Sequence, residues 1–95
     1  MVILLKLVRA HILILGFVTG INFRFYTKQK ANSLGLKGWV RNLDDKVEAV
    51  FEGPEDKVKE MLEWCKKGNR FARVDNVKIE FSDYKGEFEG FNIII

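Results

Sequence analysis

Of cysteine, proline and histidine this 95-residue chain has one each, and each scarcity excludes something. With Cys65 alone, neither an intrachain disulfide nor a cysteine-built zinc site can form, and the expected compartment is a reducing cytoplasm. Pro54 is the single proline and no Ser-rich or low-complexity stretch exists, so nothing divides the chain and residues 1–95 read as one domain. His11 stands without Asp or Cys companions, a poor start for a metal site or a catalytic triad, and reads as a solvated or hydrogen-bonded strand residue. The longest stretch free of Lys, Arg, Asp and Glu, 10–23, has 14 residues. A bilayer-spanning helix needs about 18 or more, so no membrane segment is expected. Lys6 and Arg9 interrupt the apolar start Met1 to Leu5 before a signal-peptide core of roughly 7–15 residues can form. No block of five like charges is present either, and the net charge of +3 is mild, which argues against a nucleic-acid or membrane arm.

What is present is a 47% hydrophobic composition, patterned with clear periods. A chain of this length buries roughly 60–65% of its unfolded surface, enough for one core without metal or disulfide support. Val8, Ala10, Ile12 and Ile14 alternate with Arg9, His11 and Leu13, the period of a strand with one buried face that Gly16 ends. Phe23, Thr27, Ala31 and Leu34 have helical spacing up to a terminating Gly35. Leu36 to Asn42 and Val47 to Glu52 alternate on either side of Leu43-Asp44-Asp45-Lys46, a hairpin. Pro54 at a first helical position, Glu55 and Asp56 behind it, and Val58, Met61, Leu62 and Cys65 at i, i+3, i+4, i+7 mark a second helix that stops at Gly68. Val74 to Phe81 is a fourth strand, and Phe91, Ile93, Ile95 a short terminal one. The order strand, helix, strand, strand, helix, strand matches the ferredoxin-like split βαβ pattern, an α+β fold with an antiparallel sheet covered on one face by two helices. Arg9, His11, Trp39, Arg41, Glu48, Lys78 and Glu80 then fall on the other face.

The segment Gly16-Phe17-Val18-Thr19-Gly20-Ile21-Asn22-Phe23-Arg24 joins a strand end to a helix start, where backbone N–H groups lack intrahelical partners. Glycines let such a backbone curl round an oxyanion, the helix dipole adds positive charge, and Arg24 supplies a planar cationic fork suited to phosphate or carboxylate. The spacing is neither a Walker motif nor a dinucleotide fingerprint.

This segment, followed by Leu34-Gly35-Leu36-Lys37-Gly38-Trp39-Val40-Arg41-Asn42 and Val47-Glu48-Ala49-Val50-Phe51-Glu52-Gly53-Pro54, resembles the acylphosphatase family. Trp64-Cys65, Ala72-Arg73-Val74 and Gly86-Glu87-Phe88 extend the likeness from about Arg9 to Ile95. The resemblance implies a small hydrolase without metal or other cofactor that splits the mixed anhydride of an acyl phosphate into carboxylate and inorganic phosphate. It places the family's phosphate-binding arginine on Arg24 and the water-orienting asparagine on Asn42. The loop amides of Thr19, Gly20, Ile21, Asn22 and Phe23 then cradle the phosphoryl oxygens. The implied partners are an acyl phosphate and inorganic phosphate or sulfate, with no nucleic acid and no membrane, and the chain is expected to act as a monomer.

Three positions depart from the family pattern: Thr19 stands where Gln is usual, Asn22 where Gly or an aromatic is common, and the hairpin turn is a residue shorter and has no Gly. Backbone amides do not depend on side-chain identity, and Asn tolerates positive φ better than most residues. Asn22 is also a good N-cap, however, whose side-chain oxygen is expected to compete with phosphate for the helix N–H groups. That competition defines the alternative reading, a catalytically impaired relative that keeps the loop as an anion-binding module. Ser33 and Ser82 sit in no nucleophile context, and Cys65 falls on a core-facing helical position. Lys37-Gly38-Trp39-Val40 faintly suggests an RNA-recognition strand, but Trp39 is the one aromatic clearly on the uncovered sheet face, where such modules need several.

Overall fold

The computed structural model describes residues 5–95; the expectation about the apolar start at Met1, Val2, Ile3 and Leu4 lies outside them. The elements run β1 (Leu7–Phe17), α1 (Phe23–Ser33), β2 (Lys37–Leu43), β3 (Lys46–Pro54), α2 (Glu55–Lys67), β4 (Arg73–Asp83) and β5 (Phe91–Ile93). They form one five-stranded sheet in the order β4-β1-β3-β2-β5. β1 is antiparallel to β3 and β4, and β2 to β3, while β5 lies parallel to β2. The ferredoxin-like pattern is therefore as the periods indicate, with a parallel fifth strand that makes the sheet mixed.

Alternation decides which face is covered. Val8, Ala10, Ile12 and Ile14 of β1, Val40 of β2, and Val47, Ala49 and Phe51 of β3 are all buried in one cluster with Phe23 and Ala31 of α1 and Val58, Met61, Leu62 and Cys65 of α2. A 13-residue helix is marginal alone. Burying each such side chain is worth roughly 1.5–3 kcal/mol, so the four α2 positions hold that helix to the sheet. Phe51 stacks on Phe91 at 5.3 Å between ring centroids, which ties β5 to the core. Burial also pushes the Cys65 thiol far above its ordinary range, so it packs as a small hydrophobe.

Several boundaries differ from the pattern, three of them by more than a shifted end residue or at the joins between elements. β1 continues through Gly16 to Phe17 because the register with β4 shifts between Leu15 and Gly16, where Gly16 takes φ 139° and a Cβ would lie 2.1 Å from the Arg73 carbonyl oxygen. Pro54 closes β3 just ahead of α2 instead of entering it, with φ −58° and ψ 138°. β5 ends at Ile93, short of Ile95.

The uncovered face is less open than alternation suggests. Glu52, whose pattern puts it there, is 2% exposed. Its carboxylate accepts hydrogen bonds from Arg9 (3.3 Å) and from the Lys85 and Gly86 N–H groups (2.8 and 3.2 Å), while Arg9 also reaches Glu87 at 2.8 Å and lies over the Phe88 ring. The segment after β4 thus folds back over this part of the sheet. Nearby, Glu48 accepts from Arg41 Nε at 2.6 Å and bonds His11 Nε2 at 2.7 Å. Burial raises the Glu48 pKa, but the hydrogen bonds and charge of His11 and Arg41 outweigh it and hold the carboxyl below its ordinary value of 4.5.

Two outcomes follow from these carboxylates. A carboxyl depressed on folding contributes stability that is complete above its unfolded pKa and is lost as pH falls through the folded one. Urea unfolding followed between about pH 6 and pH 2 should therefore show a shallower acid limb for Glu48→Gln than for the parent chain; matching slopes would remove this trio as a source of acid sensitivity. Glu52→Ala leaves Arg9 without its buried partner and two N–H groups without an acceptor, and should cost about 3 kcal/mol in the same assay. A loss under about 1 kcal/mol would mean that Glu87 and water replace it.

Candidate active site

Two buried side chains fix the ends of the loop between β1 and α1. Val18 is 1% exposed and Phe23 2%, and the Phe23 ring sits 5.7 Å from that of Trp64 on α2. Between them the backbone is held tightly bent, with Gly20 at φ 73° and Asn22 at φ 62°. Left-handed residues alternating with ordinary ones turn successive N–H groups toward one concavity. Asn22 in this conformation accounts for the Asn at a position elsewhere filled by Gly: among side-chain-bearing residues, Asn bears positive φ at small cost.

Asn22 occupies the N-cap position of α1 but makes no side-chain capping hydrogen bond, which corrects the expectation that it competes for the helix N–H groups. The left-handed backbone is the reason, since a capping side chain needs an extended residue at that place. The first helical bond runs from Tyr26 N–H to the Asn22 carbonyl at 3.1 Å, so the N–H groups of the preceding turn have no intrahelical acceptor. The two helices contrast here. α2 carries Glu55 and Asp56 in its first turn, whereas α1 carries no acidic residue in its own. The positive end of the α1 dipole is left uncompensated.

Arg24, one residue into α1, projects its charge beside this helix end. Arg9, Arg41 and Arg73 each pair with a carboxylate; among the described residues Arg24 forms no such pair. Asn42 lies on β2 opposite Val47, two residues before the turn, on the same side as buried Val40. The turn itself is two residues, Asp44-Asp45, closed by the Leu43–Lys46 pair, with Asp44 at φ 56°. Hairpin register is set by such a turn, so the turn without Gly keeps Asn42 on the Val40 side of β2.

These parts meet at a cavity of about 350 Å³ lined by Val18, Gly20, Asn22, Phe23, Arg24, Phe25, Asn42 and Ile93. Gly20, Asn22, Phe23, Arg24 and Asn42 are thus brought together from three elements. Thr19 and Ile21 stand outside the lining; Ile21 packs against the core and its carbonyl accepts a hydrogen bond from the Asn69 side chain at 3.0 Å. Sequence reasoning missed the apolar wall of Phe25 and Ile93. Phe25 had a local signal, its place beside Arg24, but Ile93 arrives only through the parallel pairing of β5 with β2. Chemically the cavity offers main-chain donors, one guanidinium and a carboxamide free to bond a water, a set matched to a tetrahedral oxyanion.

Comparison with known proteins agrees with this chemistry. The acylphosphatase family model matches residues 10–93. An acylphosphatase of Syntrophobacter fumaroxidans is 54% identical over 86 residues, covering 90% of this chain and 89% of the relative. The crystal structure of acylphosphatase from Bacillus subtilis superposes with a TM-score of 0.89 at 31% identity, over 93% of this chain and 99% of that one. An acylphosphatase structure from Coxiella burnetii gives 0.88 at 32%, over 93% of each chain. With the family model matching residues 10–93 and relatives up to 54% identical over most of their length, on this topology, the chain belongs to the acylphosphatase family.

Proposed function

We propose that Arg24, the amides of the Val18–Phe23 loop and Asn42 carry the reaction of this acylphosphatase, in which the carboxyl–phosphate bond of an acyl phosphate is hydrolysed to carboxylate and inorganic phosphate. The observation that carries the assignment is the shared cavity: Arg24, which has no carboxylate partner among the described residues, lines it together with Asn42. The phosphoryl oxygens sit against the loop N–H groups and the Arg24 guanidinium, which gain strength as charge spreads over them in a loose transition state. Asn42 holds a water by its carbonyl oxygen. That water's oxygen forms the new bond to phosphorus as the bond to the acyl oxygen breaks. The carboxylate leaves with the electron pair, and the water's proton passes to a phosphate oxygen or to solvent. A carboxylate is a stable leaving group, so no strong general acid or base is needed, and positioning supplies most of the acceleration.

Phe25 and Ile93 are 55% and 40% exposed at the cavity, and we assign them to the acyl portion, which must emerge from the polar end of the site. Nothing favours the impaired, purely anion-binding alternative, since the Asn22 side chain leaves the helix N–H groups free. Residues 1–95 act in this reading as a single cytoplasmic domain and a monomer. Ion pairs of Arg41, Glu48, Arg9 and Glu52 occupy much of the uncovered sheet face, which favours a small-molecule substrate over nucleic acid.

Hydrolysis of a synthetic acyl phosphate tests the roles. Arg24→Gln should lose ~10²–10³ in rate together with affinity for inorganic phosphate. Asn42→Ala should lose turnover by a comparable factor while phosphate still binds as in the parent chain. Turnover unchanged in both variants would remove the mechanism.

A further inference from the structure

Asn69 lies outside the cavity, in the turn between α2 and β4, yet it touches the site's backbone. Its Nδ2 donates to the Ile21 carbonyl at 3.0 Å across 48 positions of sequence, while its own Oδ1 is buried with no hydrogen-bond partner. A buried acceptor left unpaired costs about 1–3 kcal/mol, which offsets what the Nδ2 bond contributes, so stability alone gives no preference for Asn over an apolar side chain of the same shape here. The turn is brought against the loop by close packing. Gly68 ends α2 at φ 71°, its N–H bonding the Trp64 carbonyl, and a Cβ on it would stand 2.7 Å from the Phe23 ring.

The carbonyl of Ile21 and the N–H of Asn22 belong to one planar peptide unit, and no peptide bond among the described residues is cis. In a trans unit these two groups point in opposite directions. Holding the carbonyl toward Asn69 therefore turns the Asn22 N–H away from the α2–β4 turn, and Asn22 is a residue that lines the cavity. The opposite orientation of the same unit would present a carbonyl oxygen to the anion and withdraw a donor. Turning the unit over would also carry Asn22 out of its positive φ, and no capping bond of its side chain opposes that change.

We propose that Asn69 is a positioning residue for phosphoryl binding, locking the Ile21–Asn22 peptide unit in the orientation that keeps its N–H available to the phosphoryl group. The inference rests on the assignment of this loop as the phosphoryl site. Without the lock the loop samples both orientations, and substrate binds to the competent fraction. Apparent affinity falls by that fraction, whereas the bound enzyme turns over normally.

The test is Asn69→Leu, which keeps the shape and removes both the donor and the orphan acceptor. KM and the inhibition constant for inorganic phosphate should rise about three- to tenfold, with kcat within about twofold and the unfolding midpoint little changed, since the lost bond and the lost orphan offset each other. Unchanged KM and phosphate inhibition would overturn the proposal. So would a kcat that falls together with the unfolding midpoint at constant KM, the mark of a packing role. Asn69→Ala, too short to reach the carbonyl, gives a second route to the same rise in KM if the leucine variant does not fold. Arg24→Gln is run alongside. If it too is silent, the phosphoryl site itself is misassigned; if it loses activity while both Asn69 variants keep their parent KM, the lock alone is wrong.

Discussion

The span from Val18 to Phe23 governs the rest of the molecule. Its two ends are buried in the core, one leaving a β-strand and the other opening a helix, and four residues must connect them. Gly20 and Asn22 take positive φ to close this short connection between fixed ends. The same geometry leaves the first helix N–H groups without intrahelical acceptors, which suits the loop to the phosphoryl site proposed for it. The cost of unpaired donors is met when an oxyanion occupies the site, as catalysis by preorganised dipoles requires.

The two faces of the sheet are held together differently. The helix-covered face supplies the apolar core, while the other face is knitted by Arg41, Glu48 and His11 at one end and by Arg9, Glu52 and Glu87 at the other. These pairs neutralise most charges that face the sheet. Arg24 is left out of that network, which is what a phosphoryl site needs, because a guanidinium already satisfied by a carboxylate would have to give up that partner before binding substrate.

Periodicity made most of the architecture legible. The alternation in β1 and β3 and the i, i+3, i+4, i+7 spacing in α2 each correspond to an observed buried face. Where the reading slipped, a non-local contact overrode a local rule. Gly16 looks like a stop, but the bulged register with β4 carries the strand past it. Glu52 alternates onto the open face and is nevertheless buried, because the distant segment around Lys85 and Gly86 folds over it. Asn22 has the composition of an N-cap, yet its side chain caps nothing once the loop closure demands a left-handed backbone.

Arg24 and Asn42 were visible as residues, as was the glycine-bearing loop between a strand and a helix, because residue type and local spacing are properties of the chain itself. That they share one cavity is a product of the sheet order β4-β1-β3-β2-β5, which sets β2 beside the start of α1 and lays β5 along it so that Ile93 completes the wall. Asn69 gave no sign of its place, for nothing within a few residues of it distinguishes a solvated turn amide from one that grips a carbonyl 48 positions away. Local chemistry is written in covalent neighbours, whereas the direction of a single peptide unit depends on what packs behind it, and only the closed fold supplies that.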